Sequence, residues 1–194
     1  MTATKAKILD AASDLFLEGG VRALSVRAIS ARAGQSTIGI YSHFQGKQGV
    51  LDALYIEGFE RVGAAMAAAE GATPRARVMD AIRRYLDTAE AHEAHYRLIF
   101  GEATEGYTPS PEAETVGAEA FKGCVRVVSA LLPADAPLRR RQDVAMQIWA
   151  MVHGYVSLKH HAVSGLVDMS DWKSRALDGI AVLVDAIAAK AATD

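Results

Sequence analysis

Apolar residues recur at helical spacing along nearly the whole chain. Ile8, Leu9, Ala12, Leu15 and Phe16 share one face of a first helix, and the pattern stops at Gly19-Gly20. Ser25 can cap a second helix lined by Val26, Ile29 and Ala33. Gly34 then offers a sharp turn, and Ser36 can cap a third helix in which Ile40 and Phe44 face inward. From Lys47 a long helix runs to about Glu70, where Gly71 and Pro74 mark a break. The next helix, from Arg75 towards His92, carries Val78, Ile82, Tyr85 and Leu86, and a shorter one holds Tyr96, Leu98, Ile99 and Phe100. Residues 101–111, with two Gly and two Pro, read as a loop. A helix from Glu112 to Leu132 ends before Pro133, and a second loop covers 134–137. Leu138 to about Ser164 forms another long helix, Gly165 breaks it, and Ser170 or Asp171 can cap a last one to about Lys190. Runs such as VRVV (125–128) and AVLV (181–184) sit inside these patterns without hairpin signals, so strands are disfavoured. The expected fold is all-α with about nine helices.

Composition narrows the class. At 194 residues, with 51% hydrophobic and 23% charged residues, the chain has enough apolar material for one sizeable core and a small second domain. The single cysteine, Cys124, allows neither an intrachain disulfide nor a cysteine zinc cluster, and reads as a small core residue. MTATKAKILDAASDLF lacks the apolar run of a signal peptide, and no window approaches the ~18 apolar residues of a membrane span. The expected compartment is the cytoplasm, without membrane association. A net charge of −2 conceals an asymmetry: residues 1–50 hold six basic and three acidic side chains, whereas the rest hold 15 basic and 20 acidic ones. A basic N-terminal segment on an acidic body suits a part that meets phosphate and a part that does not.

Ser25–Phe44 has the spacing of a helix-turn-helix. A recognition helix must be short, open with exposed polar groups, and be held from behind by apolar contacts. Thr37, Ile38 and Gly39 lie near the N-terminal end of the third helix, and Tyr41 and His43 near its exit. Tyr41 also suits a plug between helices. Lys47 opens the following helix, where backbone N–H groups and an ammonium suit a phosphate. The match extends beyond the motif, to ILDAA…LF in the first helix, Gly20, Ser25-Val26-Arg27, Ile29, Ala33-Gly34, Ser36, Tyr41-x-His43-Phe44 and Lys47. Over some fifty residues the chain resembles the N-terminal domain of tetracycline-repressor (TetR) family transcriptional regulators.

The resemblance implies a DNA-binding domain at 1–48 and a ligand-binding and dimerisation domain at 49–194. It further implies a homodimeric repressor, cytoplasmic and not an enzyme, that leaves a near-palindromic double-stranded operator when a largely apolar small molecule binds. No cofactor is expected. Tyr41 and Lys47 match phosphate-holding positions, Arg27 and Ser36 backbone contacts, and Thr37, Ile38 and Gly39 positions that face base edges. Gln35, Thr37, Ile38, Gly46 and Gly49 depart from the common pattern. Gln35, where the family usually has a small apolar residue, either reads a base or loosens the turn; with Thr37, Ile38, Gly39 and His43 it is a candidate DNA contact.

In 138–164, Val144, Ile148, Met151, Tyr155, Leu158 and Ala162 form one stripe; Trp149 and His153 fall on a second face and Gly154 on a third. In the last helix Ile180, Leu183 and Ile187 line one edge. Such broad apolar coverage suggests a dimer interface from Ile148, Met151, Tyr155, Leu158, Ile180, Leu183 and Ile187, as two helices from each copy. The alternative is that both helices are internal. Trp149-x3-His153-Gly154 also resembles a Trp–His–Gly signature of one C-terminal class in the family. Candidate pocket residues are Tyr85, Phe100, Tyr107, Phe121, Trp149 and His153, although cores use the same residue types.

Two other readings stay open. One is a helical ligand-binding protein without DNA affinity; the other is a metal-dependent helical enzyme. The second rests on His92/His95 and His160-His161, neither of which has a further carboxylate placed by the sequence.

Overall fold

The structure, a computed structural model, describes residues 2–100, 105–160 and 166–191. Among them the chain forms nine α-helices and one 3₁₀ turn, with no strand. The helices are α1 (Ala3–Ala23), α2 (Val26–Ala33), α3 (Thr37–Phe44), α4 (Lys47–Ala67), α5 (Pro74–Ala91), α6 (Glu93–Ile99), α7 (Pro111–Val128), α8 (Leu138–His160) and α9 (Trp172–Ala191). They group into two compact units, residues 1–61 with 91–119 and residues 62–90 with 120–194, so α4 and α7 each contribute to both. Residues 101–104 and 161–165, within the expected loop and helix end, lie outside the described residues.

Helix boundaries follow local chemistry. Regular α1 geometry fails at Gly19 and Gly20, where the sequence pattern stops, and one turn resumes before Leu24. Thr73 Oγ1 accepts from the Ala76 N–H at 3.1 Å, which makes it the N-cap of α5 and Pro74 its first residue. Ser110 does the same for Ala113 at 3.3 Å, so Pro111 begins α7 instead of ending the loop. Sequence periodicity carried that helix to Leu132, but α7 stops at Val128 and tightens into a 3₁₀ turn over Ser129–Leu131. Leu132 is extended (φ −113°, ψ 158°), as a residue before proline tends to be.

In the first unit one cluster joins α1, α2, α3, α4 and α6: Ile8, Ala12, Phe16, Ile29, Ile40, Phe44, Val50, Leu54, Ala94 and Leu98 among others. In the second unit α8 packs on α9, with Val144, Ile148, Val152 and Val156 of one helix and Ala176, Ile180 and Val184 of the other buried. Its helices are also tied by charge. Arg75 of α5 grips Asp185 of α9 through two bonds (2.5 and 2.9 Å), and Lys173 reaches Asp87 and Glu90 (3.1 and 2.7 Å).

Cys124 is buried in α7, and burial pushes its thiol up to about 11. At pH 8 the native protein is therefore expected to react with iodoacetamide about a hundredfold more slowly than the unfolded chain. Mass spectrometry of quenched samples checks this; equal rates would place the thiol at the surface.

Candidate nucleic-acid interface

The interface begins with two capped helices and the turn between them. Ser25 Oγ accepts from the Ala28 N–H (3.1 Å) and Ser36 Oγ from the Gly39 N–H (3.1 Å), which fixes the first turns of α2 and α3. Gly34 ends α2 in the left-handed region (φ 61°, ψ 36°), where its lack of a Cβ removes the strain that other residues carry. The Gln35 N–H closes this turn onto the Ser30 carbonyl at 2.9 Å, and Gln35 is half-buried. Behind α3, Ile40 and Phe44 are buried in the shared cluster.

That burial turns the opposite face outward. Thr37, Ile38, Tyr41 and Ser42 are exposed, Ile38 at 77% and Tyr41 at 58%. Gly39 is half-buried beneath them, and the half-buried His43 ring meets the edge of Phe44. Ser42 was missed in the sequence, although it follows Ile38 by one turn. Its hydroxyl donates to the Gly39 carbonyl (3.2 Å) and stays at the surface.

The basic residues near this face differ in their commitments. Arg32 is engaged by Glu18 (2.9 and 3.0 Å), and Arg22 pairs with Glu105. Arg27 is exposed and enters no ion pair among the described residues. Lys47 is half-buried, and its Nζ donates to the Val21 carbonyl at 2.7 Å. One of its three N–H donors thus binds the end of α1 to the start of α4. Sequence reasoning assigned Lys47 to phosphate alone.

α3 gives way to α4 through Gln45 (φ 61°) and Gly46 (φ 111°). A Cβ on Gly49 would sit 1.7 Å from the Phe44 carbonyl oxygen, so only glycine fits where the two helices meet. This explains one of the departures noted in the sequence. Gly49 is a packing requirement of α3 against α4.

The pattern "Bacterial regulatory proteins, tetR family" matches residues 8–54, and "Tetracyclin repressor-like, C-terminal domain" matches residues 77–172. The chain belongs to the TetR family. Solved structures agree in fold. A tetR-family regulatory protein from Rhodococcus RHA1 superimposes with a TM-score of 0.73 at 21% identity, over 96% of this chain and 98% of that one. A tetR-family transcriptional regulator from Streptomyces coelicolor gives 0.73 at 16% identity, over 100% of this chain and 91% of that one. The TetR-family regulator PfmR from Thermus thermophilus gives 0.67 at 17% identity, over 93% and 96%. The protein is thus a TetR-family transcriptional regulator with a DNA-binding helix-turn-helix. No described helix is long and apolar enough to cross a membrane.

The six aromatic and histidine candidates for this TetR-family member's pocket do not form one group. Tyr85, Phe121, Trp149 and His153 lie in the second unit: the Trp149 indole N–H donates to Tyr85 Oη (3.3 Å), and its ring stands 5.7 Å from Phe121 and 6.4 Å from His153. Phe100 and Tyr107 lie in the first unit. Phe100 packs on Tyr96 and Phe59, while Tyr107 donates to Asp52 Oδ1 at 2.9 Å. Burial and the Asp52 carboxylate hold the Tyr107 hydroxyl well above its usual range, so it serves as a donor.

The proposed dimer stripe also divides. Ile148, Ile180 and Ile187 are buried within the protomer. Met151 and Tyr155 pack over Gly179 in the α8–α9 seam. Part of the stripe that stands out in the sequence thus pairs these helices with each other. Leu158 is exposed and Leu183 half-buried; Met146 and Val182 (71% exposed) are outward apolar residues that the stripe omitted. Among the described residues no group of three His, Cys, Asp or Glu side chains could hold a metal ion.

Gly49→Ala forces the start of α4 away from Phe44. The expected loss is about 2 kcal/mol of stability in denaturant titrations, together with weaker DNA binding. Unchanged stability would mean that the approach relaxes at no cost.

Proposed function

We propose that this chain is a homodimeric, ligand-responsive repressor that reads a near-palindromic operator with α3. The observation that carries this reading is the outward face of α3, where Ile38 and Tyr41 stand exposed on a helix locked from behind by Ile40 and Phe44. An exposed isoleucine beside Thr37 suits a thymine methyl and adjacent base edges in a major groove. Arg27, Ser36 and Tyr41 take phosphates, as do the two remaining donors of Lys47. Gln35 and Gly39 complete the reading face, and His43 sits behind it against Phe44. The protein acts in the cytoplasm without catalysis or cofactor.

The effector enters the second unit at Tyr85, Phe121, Trp149 and His153, where one polar pair, Trp149–Tyr85, stands in an aromatic group. That setting suits a largely apolar molecule with one or two hydrogen-bonding groups. Trp149, His153 and Gly154 resemble the Trp–His–Gly signature of one C-terminal class in the family. Dimerisation uses the outer faces of α8 and α9 through Met146, Leu158 and Val182, with Met151, Tyr155 and Leu183 alongside.

Selecting fragments of the source genome on the purified protein tests the whole reading. Enrichment of inverted repeats with half-sites about one helical turn apart is expected; random recovery would refute it. On the selected operator, Arg27→Ala is expected to weaken all sequences alike and to reduce the salt slope by about 1 per protomer. Substituting Thr37 or Gln35 should instead change which sequence is preferred. Val182→Asp is expected to yield monomers in light scattering at micromolar concentration and to weaken operator binding. A wild-type monomer under those conditions would rule out the dimer.

A further inference from the structure

Four polar side chains of the first unit form a continuous contact path that DNA recognition does not use. On α4, Glu57 accepts from Arg61 Nη2 at 2.5 Å and lies 3.2 Å from His95 Nε2. Arg61 Nη1 stands 3.3 Å from His92 Nε2, and the two histidine rings meet edge to face. The path borders a cavity of about 540 Å³ whose opposite wall is α1, including Leu9, Asp10, Ser13 and Asp14.

Hydrogen-bond chemistry fixes both histidines. A guanidinium only donates, so His92 Nε2 must accept, and its proton resides on Nδ1. A carboxylate only accepts, so His95 Nε2 carries a proton and donates to Glu57. The two rings therefore respond oppositely to acid. Protonated His95 keeps its bond to Glu57. Protonated His92 loses its acceptor and places a second cation against Arg61, whose buried Nε already has no partner.

Resting on the DNA-binding reading above, we propose that Arg61 and His92 form an acid-sensitive latch. It ties α6 to α4 only while His92 is neutral, and its opening below neutral pH loosens the support of α3 and weakens operator binding. The path from latch to α3 is short. Ala94 and Leu98 of α6 share one cluster with Val50, Leu51 and Leu54 of α4 and with Ile40 and Phe44 of α3. α4 and α6 also meet closely, since a Cβ on Gly58 would come within 2.9 Å of Ile99 Cγ2 and 3.3 Å of His95 Cβ.

The charged and titratable groups acting on His92 are Arg61 and Glu57 from α4 and His95 from α6; Glu93 of α6 and Asp10 and Asp14 of α1 line the same cavity. Burial holds His92 below its ordinary value, with Arg61 and His95 adding to the effect and Glu57 opposing it. His95 is lowered chiefly by burial, against the pull of Glu57 and Asp10. A histidine lowered on folding leaves the latch intact above its unfolded value of about 6.5, and the latch weakens as pH falls below that.

The test uses full-length protein in two arms. In the DNA-free arm, histidine ring protons are titrated by NMR, with His92 assigned through its own backbone correlations. A midpoint below about 6.5 is expected; one at or above it overturns the latch. In the second arm, affinity for the selected operator is measured at pH 7.5 and 5.5 at fixed ionic strength. Wild type is expected to weaken about threefold to tenfold, whereas His92→Gln, whose amide oxygen accepts from Arg61 without titrating, stays within about twofold. Arg61→Gln removes the cation and should also flatten the response. Equal acid sensitivity in wild type and both variants overturns the proposal, as does a wild type without acid loss. Absence of operator binding at every pH refutes the regulator reading, and the NMR arm then decides the latch alone.

Discussion

The recognition surface depends on the burial of two side chains. An isolated helix of eight residues is unstable in water, because its few hydrogen bonds do not offset the cost of nucleation. α3 persists because Ile40 and Phe44 insert into the cluster that α1, α2, α4 and α6 build. Fully burying a side chain of that size contributes roughly 1.5–3 kcal/mol. The same insertion fixes the rotation of α3 about its axis, so the exposure of Thr37, Ile38, Tyr41 and Ser42 follows from what Ile40 and Phe44 bury. Recognition and stability are two faces of one helix.

The joints around α3 are set by backbone contacts. The Lys47 ammonium holds the Val21 carbonyl, and Gly49 admits the Phe44 carbonyl where any side chain would collide. Both act at the start of α4, whose N-terminal half packs in the first unit and whose C-terminal end packs in the second. The Glu57–Arg61–His92–His95 path lies along that helix, on the side of α1 and α6.

Much of this was legible in the sequence, for reasons that differ between elements. Ser25, Gly34 and Ser36 act within one turn of themselves, so their roles as caps and as a left-handed turn could be read directly. Broad helical periodicity located the helices, and the main error, the extension of α7 to Leu132, came from reading continuity through a segment that Pro133 forces to tighten. The α8 and α9 stripes mix buried positions (Ile148, Ile180, Ile187) with half-buried and exposed ones (Met151, Tyr155, Leu183, Leu158). Ile148, Ile180 and Ile187 face their own chain, and periodicity reports that a face is covered without reporting what covers it.

The sequence by itself therefore determined the all-α class, the helix-turn-helix with its capped turn, the family, and the inward positions Ile29, Ile40 and Phe44. These follow from interactions local in the chain or from a pattern repeated every three to four residues. Only the tertiary structure decided that Lys47 holds Val21, that Gly49 is a contact point, that Phe100 and Tyr107 belong with the DNA-binding helices, and that Arg61 meets His92. Each of these joins residues whose approach depends on how helices pack, a property that no single helix encodes.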